Sequence, residues 1–195
     1  MIGRMLKNPE AAILCLAVAL VPGVIFAAWW VGNSILVSGA TSLAFLSVGG
    51  FFALKSGPSR AIALGAALIG QGIALTGALQ GHPWQIDSHM LFFALLAVMV
   101  SLNSIPAILA GAGLIAVHHL SLSFAFPALV YPSADLATNL PRTVFHAVIL
   151  IVETAALSMS VLIRTRLYAE ALSKTEEVRL RSEAADRARD EAVTA

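Results

Sequence analysis

The chain has 195 residues, 58% of them hydrophobic and 12% charged, with a mean hydropathy of +0.86 and a formal net charge of +1. Soluble domains carry about 25% charged residues, so this is no ordinary water-soluble domain, and the near-neutral balance gives no basis for nucleic-acid binding. A single cysteine, Cys15, excludes an internal disulfide framework and a cysteine-rich metal site.

A helix needs about 20 apolar residues to cross the hydrocarbon core of a bilayer. Six segments have that length: 11–30, 34–54, 61–79, 84–102, 105–126 and 143–163. Turn-forming residues separate them, at Gly32-Asn33, Ser56-Gly57-Pro58, Gly81-His82-Pro83, Asn103-Ser104 and between Pro127 and Pro141. The expected fold is therefore all-α and polytopic, with six transmembrane helices. Arg4 and Lys7 precede the first apolar run as they would in a signal peptide, but five more apolar segments follow, so the run is read as a first membrane helix. Arg4, Lys7, Lys55, Arg60, Arg164 and Arg166 all fall on one side of the six crossings. That side is expected to be the cytoplasm of a bacterial inner membrane, with both termini there. Aromatics at Trp29, Trp30, Trp84 and Tyr131 mark the opposite interface.

Charge is unevenly spread. Of 23 charged residues, 14 lie between Arg164 and Glu191. Residues 1–163 form a membrane domain, and residues 164–195 a charged helix continuous with the sixth segment. Ala171, Val178, Ala185 and Ala192 recur every seven residues, a weak heptad that points to homodimerisation through this tail. The pattern ends as a linker to a cytoplasmic output domain would.

Ionisable side chains are costly in hydrocarbon and mark functional positions. His89, His118, His119 and His146 lie in the fourth, fifth and sixth segments, five to seven residues from the same face. At 1.5 Å per residue that is a depth of roughly 7–11 Å. Imidazoles from neighbouring helices can hold copper, zinc or iron, or two of them can ligate haem b. His118 and His119 diverge by about 100° on a helix, so both can bind one ion only at a broad site. Glu153 lies two turns after His146 on the same face, as a hydrogen-bond acceptor for a histidine or a proton carrier. Asp87 sits near the interface, and Arg142 one turn above His146. Replacing His118 or His146 with alanine is expected to abolish binding. His82, in a Gly-His-Pro-Trp loop, reads as interfacial. Gln71 and Asn103 read as interhelical hydrogen-bonding residues. The glycines of the third and fifth segments read as close packing, with room for a planar cofactor as the alternative.

Three stretches carry a resemblance: His89-Met-Leu-Phe-Phe-Ala-Leu-Leu-Ala; Ala116-Val-His-His-Leu-Ser-Leu-Ser-Phe-Ala-Phe-Pro127 with Tyr131-Pro132; and Arg142-Thr-Val-Phe-His-Ala147 through Glu153. They resemble the membrane-embedded input region of proteobacterial methyl-accepting chemotaxis proteins and related cyclic-di-GMP signalling proteins, over residues 80–165. Ser123 departs from the family, which often has Asn there. The resemblance implies signal input to a cytoplasmic coiled coil rather than an enzyme, with His89, His118, His119, His146 and Glu153 as its key residues. A haem-containing electron-transfer subunit and a proton-coupled transporter are the other readings. No phosphate-binding loop, zinc-protease motif or haem-attachment motif occurs.

Overall fold

The computed structural model describes residues 8–54, 58–133 and 135–194, and among them it is helical with no strand. Six helical stretches are long and apolar enough to cross a membrane. Arg4, Lys7 and Lys55 lie outside the described residues.

Local chemistry fixes most helix ends. Helix α1 (Pro9–Val31) starts at Asn8, whose side chain accepts from the Ala11 amide, and stops at Gly32, which is left-handed at φ 84°. Ser34 caps α2 (Ile35–Ala53) by accepting from the Val37 amide. Helix α3 (Pro58–Ala78) is central and packs against α1, α2 and, further along the chain, α6 (Ile105–Ala125). Asn103, at φ 52°, turns the chain before Ser104 caps α6.

Close approach explains the glycines. A Cβ on Gly49 would collide with Ala67 and the Ala63 carbonyl, and one on Gly70 with the Phe45 ring. Gly65 and Gly111 seat the Met99 side chain, and Gly72 lies against Phe92. These spaces are filled by side chains, as in close-packed membrane helices. Gln71 makes the expected interhelical bonds: its Nε2 donates to the Ser42 carbonyl at 3.1 Å and its Oε1 accepts from the Ser42 hydroxyl. Large apolar side chains such as Leu36, Phe51, Val117 and Ile151 face outward. So continuous an apolar exterior is foreign to soluble monomers.

The fourth segment is not one α-helix. It runs as α4 (Trp84–Asp87), α5 (Met90–Val98) and a 3-10 turn at Met99–Leu102. The cause is competition for one carbonyl. The Ser88 hydroxyl and His89 Nδ1 both donate to the Gln85 oxygen, at 2.7 and 2.8 Å. The His89 amide is displaced onto Ile86 instead, a 3-10 pattern.

The last helix starts earlier than the sequence suggests. Helix α7 spans Leu136–Thr194, 59 residues, with Pro141 inside it. The Asp135 carboxylate accepts from the Ala137 and Thr138 amides and so opens the helix before Pro141. Below the apolar part, Glu177–Arg181 and Glu183–Arg187 pair one turn apart, and Arg179 pairs with both Glu176 and Glu183. Each such exposed pair contributes little alone, but along one helix they together favour its continuity.

Candidate functional site

The bundle has two ends. At one, the Asn33 side chain donates to the carbonyls of Ala78 and Gln80, and Gln85 Nε2 donates to the Ala128 carbonyl. These bonds gather the connections 31–34, 79–83 and 126–135; this is called the upper end. At the other, Arg60 pairs with Glu10 at 2.8 Å, and the Arg164 guanidinium donates to the Val100 carbonyl.

The histidines converge beneath the upper end. Ring centroids lie 4.9 Å apart for His89 and His119, 5.3 Å for His89 and His146, and 5.9 Å for His119 and His146. Together with Phe92, Ile115 and Thr143 these three line one cavity of about 130 Å³. Each ring is oriented by its own helix. Nδ1 of His89 faces the Gln85 carbonyl at 2.8 Å, Nδ1 of His119 the Ile115 carbonyl at 2.9 Å, and Nδ1 of His146 the Arg142 carbonyl at 2.7 Å. A carbonyl only accepts, so Nδ1 carries the proton and Nε2 the lone pair in each neutral ring. The Nε2 atoms of His89 and His119 are buried with no partner among the described residues.

His118 is placed differently. Its ring lies 5.2 Å from that of His119, but it lines a second cavity, between α2, α3 and α6, rather than the one shared by the other three. Its buried Nε2 is also unpartnered. The divergence of adjacent helical residues accounts for the separation. Among the described residues, no three His, Cys, Asp or Glu side chains have their donor atoms grouped as a bound ion requires.

The acidic and basic neighbours do less than the sequence suggests. No histidine bonds to Glu153, whose Oε2 is buried without a partner among the described residues, as are the nearby Thr154 and Ser158 hydroxyls. Backbone carbonyls hold the Nδ1 atoms instead. Arg142 serves through its carbonyl, and both its side chain and that of Asp87 are exposed. His82 packs against Trp30, tilted, and Trp84, edge-on, at the upper end, with ring centroids 4.8 and 5.7 Å away.

Sequence reasoning missed the residues that roof the cluster. Tyr131, expected as an interfacial aromatic, is 1% exposed and lies parallel to His89 with centroids 5.8 Å apart. Its hydroxyl shares a 2.8 Å hydrogen bond with Thr143, which in turn shares one with Ser123. Ser123 donates to the His119 carbonyl. Buried Gln85 clamps two connections as well as holding His89, accepting from Gly81 and donating to Ala128. Its only signal was a polar residue one turn before a histidine.

Comparison of the chain with protein-family models, curated proteins and solved structures finds no match.

Proposed function

We propose that the chain is a membrane-embedded signal-input module in which His89, His119 and His146 hold a transition-metal ion near the outer face of an inner membrane. Helix α7 then relays a change at that site to the charged helix in the cytoplasm. The observation that carries this reading is the set of imidazoles from three helices whose Nδ1 protons are committed to backbone carbonyls. That leaves their Nε2 lone pairs as the available donors around one cavity. Metal-binding histidines are held by the same kind of second hydrogen bond.

Ring spacing supports it. A metal–nitrogen bond of about 2.0–2.1 Å and a ring radius of about 1.2 Å put tetrahedral imidazole centroids about 5 Å apart. The observed separations run from 4.9 to 5.9 Å. The nitrogens are not grouped as an ion requires, so loading must draw the rings together with the helices that carry them. Such an ion supplies a site whose charge and preferred ligation vary with metal supply, redox state or oxygen. His146 lies on α7, which runs unbroken to the tail, so strain at the ring is applied directly to the output helix. The resemblance of residues 80–165 to chemoreceptor input regions favours sensing over turnover, and the weak heptad favours a dimer.

Haem b is the second reading. A cavity of about 130 Å³ is small beside the roughly 300–1,000 Å³ of pockets for molecules of that size, which favours an ion.

The test is elemental analysis and a visible spectrum of the detergent-purified chain, from cells supplied with copper, zinc and iron. One of these metals bound stoichiometrically without a Soret band, and lost in His119→Ala with helicity retained, is expected. A Soret band with iron would replace the ion by haem. Absence of both would overturn the reading.

A further inference from the structure

The second cavity differs from the first in chemistry. It has a volume of about 380 Å³ and is bounded on one part by the polar Asn33, Ser38, Thr41 and His118 and on the other by apolar residues such as Ile73 and Leu122. Ser34 and Gln80 are exposed at the upper end, so it opens there. At roughly 30 Å³ per molecule it has room for on the order of ten waters. Several of its polar groups are already committed: Asn33 to two carbonyls and the Thr41 hydroxyl to the Val37 carbonyl at 2.9 Å. The Ser38 hydroxyl makes no hydrogen bond among the described residues, although Ser38 is 93% buried (7% exposed). His118 closes the inner wall, with His119 5.2 Å beyond it.

From this juxtaposition we infer that the cavity is a water-filled vestibule admitting a small hydrated divalent cation from the upper end, and that His118 passes the cation to His119. The inference rests on the metal-binding reading above. It gives His118 a role outside the three-histidine cluster. A neutral imidazole accepts the cation in exchange for a water ligand, and ring-to-ring transfer exchanges one imidazole for the next. No electron is transferred, and protons need not be. The outward side of α7 at a matching distance from the upper end, marked by Leu140, offers no such route: Leu140 is 42% exposed between the exposed Leu136 and Val144.

Two measurements on the full chain in liposomes test this. In a Cys15→Ser background, Ser38→Cys and Leu140→Cys are reacted with a membrane-impermeant trimethylammonium methanethiosulfonate. A charge costs about 2.5–3.5 kcal/mol in hydrocarbon, about a hundredfold in local concentration. Ser38→Cys should therefore react about a hundredfold faster, and equal rates would overturn the vestibule whether or not a metal binds. Loading is then followed with Cu²⁺ alone. His118→Ala should reach the wild-type copper content about tenfold more slowly, equivalent to about 1.4 kcal/mol in the barrier. Unchanged loading kinetics would overturn the relay. Wild-type protein that takes up no Cu²⁺, with Ser38→Cys still reactive, would overturn the relay and the copper form of the metal reading while leaving the vestibule standing.

Discussion

His89 meets four demands at once. Its Nδ1 donates to Gln85, its Nε2 is left free, one face lies parallel to Tyr131, and its amide is pushed onto Ile86. Such over-determination holds a side chain in one orientation, which a binding residue requires. Tyr131 is the most informative residue to change, because its ring and hydroxyl have separable roles. Tyr131→Phe keeps the ring against His89 but removes the 2.8 Å bond to Thr143. A buried hydrogen bond contributes about 0.5–1.5 kcal/mol, with a further penalty if the remaining group is left unpaired. Thr143 retains the Asn139 carbonyl and Ser123 as partners, so thermal unfolding in detergent should show a loss near the lower value. Metal content should be unchanged. A variant that loses its metal would mean that the hydroxyl, not the ring, fixes the histidine.

At the scale of elements, the number and rough limits of the apolar segments were legible because hydropathy reports membrane helices directly. Two features were not. The break at Ser88–His89 arises from side chains taking a backbone acceptor, an event with no hydropathic signature. The early start of α7 was hidden by Pro141, which reads as a helix stop: as the sixth residue of α7 it forfeits the amide bond to the Ala137 carbonyl, so the turn before it depends on the Asp135 cap. Depth put four histidines together, but only the helical phase, once the helix axes were known, could separate His118 from the other three. Asp135 was counted as a charge and not seen as the residue that opens α7. Its carboxyl is held below the usual carboxylate range, first by the Thr138 hydroxyl and then by the Ala137 amide. A depressed value means that the cap stabilises the folded state fully above the unfolded value of about 3.9 and is lost as pH falls through the lower folded value. The first turn of α7 should therefore fray only in that acidic range. Asp135→Ala should fray it at neutral pH, as amide exchange at Ala137 and Thr138 would report. Equal protection in both proteins would show that packing alone fixes the helix start.

For the whole molecule, α3 is the fixed centre and α7 the loosely held element. Two-thirds of the apolar window of α3 is buried inside the bundle, against 11% for α7. Buried Thr154, Ser158 and Glu153 atoms on α7 have no hydrogen-bond partner among the described residues, and orphaned polar groups of this kind cost about 1–3 kcal/mol each. An element with few buried contacts is displaced at low cost, as the proposed relay through α7 requires. Spin labels at Leu109→Cys and Ile163→Cys, in a Cys15→Ser background, should change separation by about 1–2 Å on loading, the scale of interfacial helix shifts. The change should be absent in His119→Ala, and an identical shift there would detach the movement from the cluster. The most direct test of the central claim is X-ray absorption at the edge of the metal that copurifies with the chain. A first shell of nitrogen at about 2.0–2.1 Å, with multiple scattering that fits three imidazoles, is the predicted result. A shell without imidazole would contradict the account.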